Sequence, residues 1–261
     1  MLPVVQIGPA ALPLAPLLIM LGVWAGAWLA ERAGARLGLS PDAISALVFA
    51  MLVGWLLGAR LGYAARFLPT YAADPLSLLS PNPATLWPAA GIAGAALAGL
   101  LIGRRRGLPL WRTLDALAPA LALLALALGA AHLASGDAFG APARLPWSIW
   151  LWDDWRHPSQ IYELIAAAAI LVLQWRSQER APFDGFRFLL VLALLAAARV
   201  FLEAFRGDSW IVGGGLRGAQ VISLLVLAAC LALLRVRGQA STATPQSPAD
   251  FAAQETTSTE A

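Results

Sequence analysis

The stretch Phe188-Leu-Leu-Val-Leu-Ala-Leu-Leu-Ala-Ala-Ala-Arg199-Val-Phe-Leu-Glu203-Ala-Phe-Arg206 decides the fold class. From Phe188 to Ala198 it carries no polar side chain, and then three charges follow. About 17–25 mostly apolar residues make a helix that spans a bilayer, and a helix satisfies its own backbone groups where no water can. A charge in the bilayer is costly, by about 2.5–3.5 kcal/mol at the centre of a span on insertion scales. Spacings of four and then three residues place Arg199, Glu203 and Arg206 on one helix face. A carboxylate between two guanidiniums holds both and leaves a cluster of net +1, a seat for a phosphate. The plainer reading is an ion-pair ladder that only pins this helix to its neighbours.

The rest of the chain is of the same kind. Of 261 residues 59% are hydrophobic and 13% charged, with a mean hydropathy of +0.70; a soluble domain carries roughly a quarter charged residues. This excludes a soluble globule, a disordered chain and a nucleic-acid binder, and predicts an all-α polytopic membrane protein. Apolar stretches at 12–30, 43–65, 85–102, 114–134, 160–175, 188–205 and 218–234 predict seven spans. The first lacks a basic lead-in and a cleavage site, so it reads as a retained span rather than a signal peptide. Ser40-Pro41-Asp42 has the chemistry of a helix start. Residues 1–238 form the membrane domain, and the Ser/Thr/Ala/Gln-rich residues 239–261 read as a disordered cytoplasmic tail.

All 18 basic residues are arginine. Eleven fall in the odd-numbered connections and the tail: 32, 36, 104, 105, 106, 112, 176, 180, 187, 235 and 237. Five fall in the even-numbered connections: 66, 144, 156, 206 and 217. Positive-inside bias then puts the N-terminus outside and the C-terminus in the cytoplasm. Cys230 is the single cysteine, so no internal disulfide is possible. There is no Gly-rich phosphate loop, CxxC or HExxH, and neither metal nor cofactor is expected.

Three further places carry polar chemistry. In Arg156-His157-Pro158-Ser159-Gln160-Ile161-Tyr162-Glu163, Pro158 suits the first turn of span five. Helical spacing then stacks His157, Gln160 and Glu163 on one stripe with Tyr162 pointing away. The group suits a polar headgroup or a proton transfer, or a capped helix start with interfacial anchors. Arg60, in Gly58-Ala59-Arg60-Leu61-Gly62-Tyr63, has glycine neighbours that admit a helix or lipid, or it snorkels. His132 near the end of span four is a lone histidine and reads as a satisfied buried one. Trp147-Ser-Ile-Trp150-Leu-Trp152-Asp153-Asp154-Trp155 holds four of eleven tryptophans and reads as an element at the headgroup level, an aromatic anchor or one wall of a lateral entrance.

In this order the clusters resemble those of the bacterial prolipoprotein diacylglyceryl transferases. The resemblance runs over roughly residues 15–235. It rests on Gly58–Tyr63, Leu145-Pro146-Trp147, Arg156–Glu163 and Arg199–Arg206, with a weaker echo at Gln220 and Ser223. It implies a multi-pass enzyme of the bacterial cytoplasmic (inner) membrane, acting as a monomer. Such an enzyme transfers diacylglyceryl from phosphatidylglycerol to the lipobox cysteine of a secreted prolipoprotein, releasing glycerol-1-phosphate. The chain departs from the family pattern at a signature histidine, which aligns with Ala89. In Leu128–Asp137 the signature arginine and asparagine align with Gly129 and His132, while Gly136, Asp137 and Gly140 match. A tyrosine expected in span one has no counterpart.

That reaction makes two demands: a thiol must lose its proton, and a leaving phosphate needs preorganised positive charge. By the resemblance Arg199, Glu203, His157 and His132 are the candidate catalytic residues. Arg60, Arg144, Arg156, Gln160, Tyr162, Glu163 and Arg206 are the candidates for holding lipid and phosphate. The competing readings are a relative that binds anionic phospholipid as an accessory protein without catalysis, and a small-solute transporter.

Overall fold

The computed structural model describes residues 4–7, 10–80, 82–177 and 181–243. It consists of two units, residues 1–137 and 138–261.

The first unit opens with a short antiparallel hairpin, β1 (Val4–Ile7) and β2 (Ala10–Pro13), where sequence predicts no strand. Four long helices follow: α1 (Leu14–Arg36), α2 (Pro41–Arg66), α4 (Pro88–Arg105) and α5 (Leu110–Ser135). The short α3 (Leu68–Ala73) and two 3-10 turns, Pro75–Leu79 and Pro83–Thr85, lie between α2 and α4. As its sequence predicts, α2 starts on Ser40, whose side chain accepts from the Ala43 amide, with Pro41 and Asp42 in the first turn. α1 packs on α5 and α2 on α4. The second contact is close because the chain carries glycine where the helices meet. A β-carbon on Gly58 would lie 2.6 Å from the Ala90 carbonyl oxygen and 3.0 Å from the Gly94 α-carbon. Small residues are what let membrane helices approach at backbone distance. Ala30, Leu39, Ile44 and Ala116 form a small buried cluster where α1, α2 and α5 meet.

The second unit contains the hairpin β3 (Ile149–Leu151) and β4 (Asp154–Arg156), then α6 (Ser159–Arg176) and α7 (Phe186–Leu202). A 3-10 turn, Glu203–Phe205, extends α7. The small pair β5 (Ile211–Val212) and β6 (Leu216–Arg217) leads into α8 (Gly218–Ala243). α7 packs against both α6 and α8.

Each of the seven predicted spans thus corresponds to a long helix. Five of these are long and apolar enough to cross a membrane: α1, α2, α5, α7 with its 3-10 extension, and α8. α4 and α6 have 18 residues each. Their hydropathy is diluted by Arg104 and Arg105 in one, and by Gln160, Glu163, Gln174 and Arg176 in the other. Large apolar side chains face outward, including Trp24, Phe49, Ile165 and Leu225. An exposed apolar surface on this scale needs lipid around it. The chain is an all-α, multi-pass membrane protein. α8 continues through residues 239–243, and residues 244–261 of the expected tail lie outside the described residues, as does Arg180.

Candidate active site

The second unit builds its polar site around one extended segment, residues 139–143, which lies between two others. On one side the Ala141 amide donates to the Phe205 carbonyl (2.8 Å) and the Gly207 amide to the Phe139 carbonyl (2.9 Å). On the other, the His157 amide donates to Ala141 (3.0 Å) and the Ala143 amide to Trp155 (2.8 Å). Gly140 pairs with Arg206 and Pro142 with Arg156 in these ladders. Gly140 has to be glycine. A β-carbon there would collide with the His157 carbonyl oxygen and lie 2.7 Å from the His157 β-carbon. The Ser159 hydroxyl adds a buried bond of 2.6 Å to the Ala138 carbonyl. Arg156 closes the frame, with Nε on the Leu151 carbonyl (3.0 Å) and Nη1 on the Gly140 carbonyl (3.3 Å). Its role in the structure is to clip the β3–β4 hairpin to this frame.

The charged cluster hangs from that frame. Glu163 of α6 accepts from Arg199 Nη1 (3.1 Å) and Arg206 Nη1 (2.6 Å) through a single oxygen, Oε1. Glu203 sits 3.0 Å from Arg199 Nη2 and 3.9 Å from Arg206 Nε, ion-pair contacts without hydrogen-bond alignment. Asp208 takes Arg206 in a fork, Nε to Oδ1 at 2.9 Å and Nη2 to Oδ2 at 2.7 Å. Arg217 donates to the carbonyls of Glu203 and Arg206 (3.0 Å to the latter) and to Ser209 Oγ (3.1 Å). Gln220 of α8 donates to the Val200 carbonyl at 3.0 Å. Glu203 is 1% exposed and Arg206 9%, whereas Arg199 is 35% exposed.

Two expectations change here. Glu203 does not sit evenly between the arginines, because α7 ends at Leu202 and Arg206 is extended (φ −81°, ψ 142°). Leaving the helix turns Arg206 toward Glu163 and Asp208. The expected surplus of one positive charge is also absent among the described residues: Arg199 and Arg206 face three carboxylates, and Arg217, held on neighbouring carbonyls and Ser209, brings the formal count to zero. Burial by itself would lower the Arg206 pKa, but the hydrogen bonds and charge of Asp208 and Glu163 outweigh it and hold the pKa above its ordinary value.

His157 also departs from its expected partners. Pro158 (φ −77°, ψ 63°) precedes the helix rather than starting it, so His157 is out of helical register. Its Nδ1 lies 3.4 Å from the Tyr162 hydroxyl, the residue expected to point away. Phe205 packs edge-on to both rings, at 5.2 Å from His157 and 5.7 Å from Tyr162. The Trp147 indole N–H donates to the same Tyr162 oxygen at 2.8 Å. Gln160 is fully buried at the start of α6.

Arg60 and His132 belong to the first unit. Arg60 is almost fully buried and its donors are taken by the loop before α4. They go to the carbonyls of Ser77 (2.5 Å), Leu78 (2.8 Å) and Thr85 (3.4 Å), and to the Thr85 hydroxyl. His132 lies half-buried in the last turn of α5, and its carbonyl accepts from the Gly136 amide. Arg144 is exposed on the loop before β3. Sequence reasoning passed over Asp208 and used Arg217 only as a loop charge. An acid two residues after Arg206 was the available signal for the first.

This architecture, apolar helices with an Arg–Glu network at one end of α6 and α7, defines a multi-pass membrane protein. The family model for prolipoprotein diacylglyceryl transferase matches residues 3–236. The chain belongs to that family. Relatives named phosphatidylglycerol–prolipoprotein diacylglyceryl transferase cover it nearly end to end. The one from Synechococcus elongatus is 32% identical, over 86% of this chain and 83% of its own. That from Nostoc sp. is 30% identical over 87% and 86%, and that from Bacillus cereus 29% over 89% and 90%.

Proposed function

We propose that the protein transfers the diacylglyceryl group of phosphatidylglycerol to the lipobox cysteine of a secreted prolipoprotein, releasing glycerol-1-phosphate. The observation that carries this reading is the Glu163–Arg199–Glu203–Arg206 network, set on a family match that spans the chain. In the reaction the cysteine sulfur forms a bond to a glycerol carbon as that carbon's bond to the phosphate oxygen breaks. The bonding electrons leave with the phosphate, and the thiol proton passes to a base.

Within the network the residues divide by exposure. Arg206 is held on Glu163 and Asp208 and serves as a fixed positive wall. Arg199 is the accessible guanidinium and meets the phosphate, exchanging part of its contact with Glu163 for phosphate oxygens. An incoming anion competes with the carboxylates already paired to these arginines. Arg156 acts by holding the β3–β4 hairpin on its frame, and Arg60 by holding the loop before α4 in the first unit. Arg144 is the exposed arginine left for lipid contact, and the fully buried Gln160 supports the start of α6. Tyr162 and Glu163 position His157 and the arginines. His157 and His132 are the chain's two imidazoles, available for proton or hydrogen-bond work near neutral pH.

The same reading has all seven long helices crossing the inner membrane, with the N-terminus outside, the C-terminus in the cytoplasm and the chain acting as a monomer. Residues 239–261 form a cytoplasmic tail outside the 1–238 membrane domain, their first turn continuing α8. The Trp-rich hairpin lies at the outer headgroup level.

The test is transfer by purified protein from phosphatidylglycerol to a lipobox peptide, read by peptide mass and released glycerol phosphate. Wild type turns over, and Arg199→Ala falls by about 10²–10³-fold, the usual cost of one oxyanion donor. Wild type that binds the lipid without turnover sinks the proposal.

A further inference from the structure

The geometry points to a hydrogen-bond relay, Trp147 to Tyr162 to His157, that fixes the imidazole in the Nε2–H form and makes neutral His157 a donor to the substrate's phosphate. This deepens the transfer reading and rests on it.

The inference follows from counting donors. An indole nitrogen only donates, so the 2.8 Å contact makes the Tyr162 oxygen an acceptor from Trp147. A phenol has one hydrogen of its own to give. Among the described residues the remaining partner of the Tyr162 hydroxyl is His157 Nδ1, 3.4 Å away. Nδ1 is the described acceptor within reach of the phenol hydrogen, and we assign it as the unprotonated, accepting nitrogen. The proton of the neutral ring is then on Nε2. Phe205 and Tyr162 pack edge-on against the imidazole, at 5.2 and 6.2 Å, and limit its rotation. The His157 amide is held on Ala141 and its chain position is fixed between the Gly140 frame and α6.

The chemistry follows from the tautomer. With Nδ1 engaged and Nε2 already protonated, the neutral ring has no free lone pair to take a thiol proton. It has one N–H to offer, and a phosphate oxygen that gains charge as the carbon–oxygen bond breaks is the acceptor that strengthens such a bond in the transition state. Trp147 and Tyr162 are positioning residues in this scheme, and His157 touches substrate. Base duty for the thiol lies elsewhere.

The test uses full-length protein labelled with 15N-histidine. The chain holds two histidines, so a His132→Gln variant leaves one signal pair. Wild type at alkaline pH shows a pyridine-like Nδ1 and a pyrrole-like Nε2. Tyr162→Phe and Trp147→Phe convert this to a tautomer mixture. An Nδ1–H signal in wild type, or an unchanged ratio in both variants, overturns the inference whatever the activity. In the transfer assay His157→Gln, whose amide donor mimics Nε2–H, keeps kcat within about tenfold of wild type. His157→Asn, which mimics Nδ1–H, and His157→Phe lose about 10²-fold. Equal loss in all three would mean a base and would overturn the donor role. Wild type without turnover but with the locked tautomer would sink the transfer reading and the phosphate-donor role that rests on it, leaving the relay itself standing.

Discussion

At the scale of single residues, Arg199 and Arg206 show how two guanidiniums on neighbouring turns acquire different tasks. Arg206 is nearly buried, forked onto Asp208 and bonded to Glu163, while Arg199 remains about one-third exposed. Removing Arg206 leaves two carboxylates without their main partner. Breaking a buried pair from one side costs about 3–5 kcal/mol. Arg206→Ala is expected to lower the melting temperature in detergent markedly, and Arg199→Ala to cut transfer by about 10²–10³-fold with a smaller change in melting. Equal thermal shifts for the two would contradict this division. The raised pKa of Arg206 carries a sign: its stabilisation is complete below the ordinary arginine value and is lost only as pH climbs past the raised one. Across physiological pH this group therefore adds no pH dependence. Arg199, Glu203 and Arg206 were legible in the sequence because a helix converts spacing into a shared face. The grip of Glu163 on both arginines was not, because it joins residues 36 and 43 positions apart.

At the scale of elements, the connection between α2 and α4 depends on one side chain. Arg60 is anchored in α2, whose helical geometry fixes its direction. From there it collects the carbonyls of Ser77, Leu78 and Thr85, acceptors 17 to 25 positions away in sequence. The clip explains how a loop with two 3-10 turns holds one shape. Arg60→Ala is expected to raise hydrogen exchange and protease cutting within residues 74–87 while α2 and α4 keep their protection. Exchange that rises evenly along the chain would count against a local clip. The residue itself was visible in the sequence as an arginine out of place, but its partners were not, because backbone carbonyls leave no trace in residue types. The β3–β4 hairpin is similar. Its three tryptophans, with Trp147 just before them, marked it as interfacial, whereas the turn at Trp152 and Asp153, both at positive φ (51° and 57°), breaks the usual preference for Asn-Gly. That turn sets Trp150 against Trp155 across the strands, rings 5.7 Å apart, and leaves Trp152 at the tip.

At the scale of the whole molecule, the arginine distribution is the argument for orientation, and chemistry on intact cells tests it. In a Cys230→Ser background, Asp153→Cys is expected to react with an impermeant maleimide added outside. Arg106→Cys is expected to react only after lysis. The reverse pattern would invert the topology. The positions of the long helices and the apolar exterior were readable beforehand, because lipid forces every spanning segment to be a helix that hides its own backbone. Sequence by itself therefore determined the all-α class, the placement of the long helices, the cap at Ser40 and the identity of the arginine face. Tertiary structure alone decided which carboxylate holds which guanidinium, that the site is charge-neutral, that His157 answers to Tyr162, and that Gly140 threads between Arg206 and Arg156. The physical reason is locality. Hydropathy and helical periodicity act over a few turns and are written in composition. Ion pairing, hydrogen-bond direction and strand pairing depend on where distant segments meet, and here a proline outside its helix and an arginine released from its own were enough to change the partners.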